Sequence, residues 1–245
     1  MTLLQETAGW LLDPANWQGP GGIPVRLLEH LAVSGISLAI ALAIALPAGL
    51  FIGHTRRGVS LAVNLANVGR AIPSLALIGI VVPIGQAIDP DLGFKVYPTL
   101  VAMAVLAMPP ILVNAYAGVA EVDRDLVEAA RGMGFAERQI LGRVEIPLAL
   151  PVILGGIRSA AVQVVATATL GAIFGFGGLG RFVKDGVDRR DDGQLFGGVV
   201  LVALLALAIE GSLALAQRRA QRRSRVTTIA ERTEEPGPAS VALET

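Results

Sequence analysis

The chain has 245 residues, a formal net charge of zero and no cysteine. Hydrophobic residues make up 53% of it and charged residues 16%, against about 25% charged in a soluble domain. A disulfide framework, a thiol enzyme and a cysteine-based zinc site are excluded, and the zero charge argues against nucleic acid as a partner. The apolar residues come in long blocks, the mark of an integral membrane protein. Two histidines, His30 and His54, are too few for a multi-histidine metal centre. Aromatic residues, at 4%, are too few for a cage of several rings.

Residues 1–28 hold Trp10, Trp17 and a Gly-Pro-Gly-Gly turn at 19–22. They lack a basic leader and a small-residue cleavage site, and read as an interfacial segment on the outer face. A transmembrane domain follows over 29–217. Stretches at roughly 31–53, 96–117, 151–176 and 195–216 meet the span of about 20 apolar residues that a bilayer core requires. Residues 59–88 read as one broken membrane element interrupted at Pro73, because proline removes a backbone donor and disfavours a helical residue before it. The expected architecture is all-α, with about five crossings. From 218 onward the chain is basic, then rich in Glu, Pro and Gly. This tail reads as a lipid-touching run followed by disorder.

Arg56 and Arg57 lie in the turn after the first span. Arg124, Arg131, Arg138 and Arg143 lie in the loop 118–150, and the tail carries Arg218, Arg219, Arg222 and Arg223. These positions fall on one side of the membrane, which the positive-inside rule assigns to the cytoplasm. The N-terminus is therefore outside and the C-terminus inside.

The loop 118–150 has too much pattern for a plain connector. Val122, Leu126, Ala129, Ala130 and Met133 recur at three or four residues, so 121–133 reads as a short amphipathic helix. Asp123 and Asp125 favour its positive end, and Gly132 and Gly134 end it. A second short helix is expected from Ala136 to about Glu145, with Ile140, Leu141 and Val144 on one face and Pro147 as its stop. Helix, glycine turn, helix and proline make a rigid elbow under the membrane.

That elbow resembles the loop of bacterial binding-protein-dependent ABC permeases: EAA, three residues, Gly, nine residues, then I-x-L-P. Here it reads Glu128-Ala129-Ala130, Gly134 and Val144-Glu145-Ile146-Pro147. Val144 and Ile146 are mild departures. The resemblance implies a type I ABC importer permease in which Glu128, Ala129, Ala130, Gly134 and Pro147 couple to a cytoplasmic ABC ATPase dimer. It further implies a second permease chain, identical or paralogous, and an extracytoplasmic solute-binding protein. This chain itself is expected to hold no cofactor, with ATP and Mg on the partner ATPase.

Other segments are similar to osmoprotectant importers, the permeases for glycine betaine, carnitine and choline. They are 67–77, with Ile72-Pro73-Ser74-Leu75; 108–119, with Pro109, Pro110 and Asn114; and 175–182, Gly175-Phe-Gly-Gly-Leu-Gly-Arg-Phe. The family pattern is neutral where Arg70 stands. The resemblance implies pathway roles for Pro73, Ser74 and Asn114, and an outer gate at Gly175, Gly177, Gly178 and Gly180; a plain tight turn is the alternative for the glycines. Importers of amino acids, phosphonates or other betaines share parts of these patterns, and a stand-alone channel or secondary carrier is the rival from another class.

Asn64, Asn67 and Arg70 drift slowly around one helix face. They are either a polar stripe at the cytoplasmic mouth of a pathway or an interfacial face with Arg70 on phosphates. Gln163, Thr167 and Thr169 on the fourth span either line the pathway or bond between helices. Arg158 and Glu210 are charges inside spans, where charge is costly. Counted along their helices they lie about 12 Å and about 10 Å from the cytoplasmic side. The matched depths suggest an ion pair; the alternative is that Arg158 snorkels to headgroups and Glu210 is partly hydrated. Catalysis finds no support: neither histidine stands in a serine, cysteine or carboxylate arrangement that suggests nucleophilic chemistry, and no phosphate-binding G-x-x-x-x-G-K-[ST] loop exists.

Overall fold

The computed structural model describes residues 2–233. Helix α1 (Leu3–Leu12) and a 3-10 turn (Pro14–Trp17) lead into α2 (Ile23–Thr55), which starts eight residues before the expected span. Hydropathy missed that first stretch because it carries Arg26, Glu29 and His30. Each has a partner: Arg26 pairs with Glu29 at 2.9 Å, and the His30 ring bonds the Val165 carbonyl at 2.9 Å. Pro24 in the first turn costs no hydrogen bond.

The broken element is α3 (Val59–Ala71) and α4 (Ser74–Ile88), which meet at 92° across Ile72-Pro73. The break stands at the expected proline. A short α5 (Leu92–Lys95) leads to α6 (Tyr97–Ala120), the second long span. The elbow follows as α7 (Arg124–Gly132), α8 (Glu137–Ile140) and a π turn (Leu141–Glu145). It runs directly into α9 (Ile146–Thr167), prolonged by a 3-10 turn (Ala168–Phe174). Helix α10 (Gly180–Arg189) crosses the outer face, and α11 (Asp192–Thr233) is the last span.

Two readings change here, and the stretch between the last two spans gains a helix. Pro147 does not stop the second elbow helix. It sits in the first turn of α9, where its missing N–H is harmless, and the widened π turn before it relieves the ring's clash with the preceding backbone. Residues 181–190, between the last two expected spans, form most of α10, stitched by Arg181–Asp185 and Lys184–Asp188 pairs at helical spacing. The basic run from 218 continues α11 up to Thr233; the disorder expected at the chain's end falls on 234–245, outside the described residues.

The core lies where α2, α6 and α9 meet under α4. Ala41, Ala45, Ile78, Ala102, Met103, Ala107 and Val164 are buried there. Small residues set the spacing. A Cβ on Gly49 would come within 2.6 Å of the Ala115 Cβ, and one on Gly156 within 2.5 Å of the Asn114 Cβ. Without a hydrophobic drive between helices in lipid, such close backbone contact is what holds them. Segment 1–28 is not free on the surface: the Trp10 ring packs edge-on against Phe182 at 5.1 Å, while Trp17 stays half-exposed.

Replacing Gly49 or Gly156 by Val is expected to destabilise the protein by about 1–3 kcal/mol through overpacking. The same change at Gly79, where a Cβ meets nothing within 4 Å, should have little effect. Thermal aggregation midpoints in detergent compare the three.

Candidate functional site

The elbow is built from the end of α6 to the start of α9. Asp123 caps α7 by accepting from the Asp125 N–H at 2.9 Å. Helix α7 closes in a Schellman turn: the Phe135 N–H reaches the Ala130 carbonyl at 3.1 Å, and the Gly134 N–H the Arg131 carbonyl at 3.0 Å. Gly134 takes a φ of 86°, the left-handed region that glycine alone adopts cheaply.

The apolar residues of α7 divide between two faces. Val122 and Ala130 are buried against the chain. Leu126 (51% exposed), Ala129 and Met133 (71% exposed) face away from it with Glu128 beside them. Below the turn Ile140 is fully buried, and Leu141 packs on Ala115, Val119, Ala149 and Ile153. The elbow is thus anchored on one side and apolar, small and unpartnered on the other.

Sequence reasoning missed the charged clasp beneath it. His54, at the end of α2, places Nδ1 2.6 Å from the Glu145 carboxylate and Nε2 3.3 Å from that of Glu137. Arg131 donates to both oxygens of Glu137, at 2.8 and 3.0 Å. These hydrogen bonds, with the guanidinium charge, hold the exposed Glu137 carboxyl below the usual carboxylate range. Glu145 is buried. Ninety-one residues separate His54 from Glu145, and no local pattern signals such a pair.

The family described as binding-protein-dependent transport system inner membrane component matches residues 35–226, the whole elbow included. The chain belongs to this family. It is a multi-pass inner-membrane permease of the ABC importer type, a class that works with an ATPase and a binding protein. A carnitine transport permease of Listeria monocytogenes is 34% identical over 77% of this chain and 84% of its own. A glycine betaine/carnitine/choline transport system permease of Bacillus subtilis is 31% identical over 89% of this chain and 92% of its own. Among solved structures, an inward-facing methionine ABC transporter aligns with a TM-score of 0.71 and 25% identity. That alignment covers 79% of the permease and 93% of the other chain.

The expected pathway residues lie on several elements, α3, α4, α6, α9 and the 3-10 turn after it. Asn64 and Asn67 are exposed on α3, Pro73 is exposed at the bend and Ser74 half-buried after it; the Arg70 side chain lies outside the described residues. The Asn114 amide donates back to the Pro110 carbonyl at 2.8 Å. Thr167 bonds the Gln163 carbonyl at 2.6 Å and Thr169 the Ala166 carbonyl at 2.8 Å, both within one helix run. Gln163 itself is half-buried. A cleft of about 240 Å³ between α2, α3 and α6 is lined by apolar residues such as Ile44, Ala48, Gly69 and Met108.

The glycines expected at an outer gate form a clamped turn. Gly175 and Gly178 have φ of 83° and 71°. The Gly178 N–H donates to Glu29 at 2.7 Å, and the Leu179 N–H to His30 Nδ1 at 3.3 Å. With Nδ1 accepting and Nε2 facing a carbonyl, both bonds are satisfied by the neutral Nε2–H tautomer. Any side chain on Gly177 would strike the Glu29 carboxylate, and one on Gly180 the Thr169 backbone.

Arg158 and Glu210 stand 3.3 Å apart, linking α9 to α11. Gln217 completes the group, accepting from Arg158 at 3.1 Å and donating to the Pro151 carbonyl at 2.8 Å. Reversing either charge alone, Arg158→Glu or Glu210→Arg, is expected to destabilise the permease. The double reversal should recover on the order of 1 kcal/mol of coupling. Additive losses in unfolding midpoints would contradict the pair.

Proposed function

We propose that this permease forms half of the translocation pathway of an ATP-driven importer for osmoprotectants such as glycine betaine, carnitine or choline. The other half is a second permease chain, identical or paralogous. The observation that carries the coupling is the elbow's outward face: Leu126, Ala129 and Met133 sit at i, i+3 and i+7 with nothing on them. In water such a stripe is unfavourable. A groove on a cytoplasmic ATPase gives it cover, and the alanines allow close approach. The solute class rests on the relatives whose names carry it.

Each of two ATPases, closing on nucleotide and Mg, pulls one elbow. Because α8 passes into α9 through the π turn without a gap, the pull tilts α9 directly and opens the pathway to the other side. A single bundle has its expected polar residues dispersed, with Asn64 and Asn67 exposed on α3. A second chain facing α3 and α4 supplies the opposite wall. Ile80 and Ile84 are exposed on that side.

Quaternary ammonium groups are recognised by aromatic cages. The ring of Trp10 is engaged with Phe182, and Phe94 with Phe174. Selection therefore falls to the binding protein, and the permease passes what is delivered. The fold shared with a methionine ABC transporter favours an amino acid as the second reading.

Co-expression with the ATPase and binding protein tests this. The wild type should co-purify with the ATPase and drive ATP-dependent uptake of a betaine from a panel that includes methionine. Gly134→Asp, strained in the left-handed region by about 1–2 kcal/mol, should lose the ATPase. Uptake that persists without ATP would instead indicate a channel or carrier.

A further inference from the structure

Of the long helices α2, α6 and α9, two are joined to the elbow by the chain itself, α6 at its start and α9 at its end. Helix α2 is not. Its only side-chain hydrogen bond to the elbow, among the described residues, runs from His54 to Glu145. We infer that His54 is a positioning residue of the coupling machinery: its imidazole clasps the elbow to α2, so that a pull on the elbow moves α2 together with α9. The inference rests on the elbow being the ATPase dock.

The geometry has three parts. The first is the ring. Its two nitrogens each face a carboxylate, Glu145 at 2.6 Å and Glu137 at 3.3 Å. A carboxylate only accepts, so the short contact is a hydrogen bond that the ring donates from Nδ1 to Glu145, while Glu137 stands beside Nε2 at the longer distance. The second is what the two carboxylates stand on. Glu145 belongs to the π turn that becomes α9, and Glu137 to α8, where two bonds from Arg131 tie it to α7. One side chain therefore meets the second arm of the elbow at both of its ends and, through Arg131, reaches the docking helix α7.

The third part is the surroundings. A cleft of about 320 Å³ opens beside the ring, lined by His54, Arg56, Arg124, Glu128, Arg131 and Glu145. Glu128 of the docking turn shares this cleft with the clasp. Behind it α2 is locked to α6, since a Cβ on Gly53 would come within 2.7 Å of the Val119 Cβ. A displaced α2 therefore carries its neighbour with it.

The test uses the complete transporter, with ATPase and binding protein, in proteoliposomes. Radiolabelled glycine betaine accumulated per ATP hydrolysed is compared for wild type, His54→Ala and His54→Lys. His54→Ala should assemble and hydrolyse ATP yet carry about tenfold less solute per ATP, a size usual for coupling between sites. His54→Lys returns a donor to the two carboxylates and should recover most of the ratio. An unchanged ratio in His54→Ala overturns the inference, and so does a loss that His54→Lys leaves in full.

If His54→Ala does not assemble, Glu137→Gln decides. It removes the charge of the exposed arm and leaves the buried Glu145 contact in place. A ratio lowered severalfold supports the clasp; a wild-type ratio overturns it. Failure of the wild type to bind the ATPase, or to move any solute of the panel, would count against the proposed function instead.

Discussion

A carboxylate that water scarcely reaches sits where the elbow enters the membrane. Glu145 is buried at the end of the π turn that leads into α9, and a buried charge whose partner is removed destabilises a protein by about 3–5 kcal/mol. His54, brought from the far end of α2, supplies that partner at 2.6 Å. The end of α2, the elbow and the start of α9 must therefore keep one arrangement. Docking face, clasp and span are held together by this single requirement.

Two further constraints carry the arrangement through the bilayer. Glycines at 49, 53 and 156 let α2 and α9 approach α6 backbone to backbone. On the lipid side, Arg158, Glu210 and Gln217 fasten α11 to α9 through polar contacts that hydrocarbon cannot replace. At the outer end, Glu29 and His30 grip the glycine turn that follows α9. Helix α9 is thus tied at its inner end, along its length and at its outer end, which suits an element meant to transmit a tilt.

Much of this was legible in the residues. The long spans follow from hydropathy, the 92° break from Pro73, and the elbow from two short amphipathic periods around Gly134. Arg158 and Glu210, counted along separate helices, come to similar depths and stand 3.3 Å apart. The illegible parts share a cause: they depend on partners far away in the chain. His54 looks like an isolated polar residue until the fold brings Glu145 and Glu137 to it. Helix α2 looked shorter than it is because Arg26, Glu29 and His30 are polar by type, while Glu29 and His30 are satisfied by Val165, Gly178 and Leu179. Pathway side chains gave the weakest signal, since Asn114, Thr167 and Thr169 turn back onto their own helices.

The absence of cysteine permits a direct measurement of where the elbow goes. A cysteine placed at Ala129 or Met133, on the unpartnered face, can be paired with cysteines along the groove of the co-expressed ATPase. Disulfide-linked permease–ATPase species that form in the membrane and stop uptake until reduced are the result expected here. No cross-link from either position, with ATP-driven uptake intact, would contradict the assignment of the elbow as the dock.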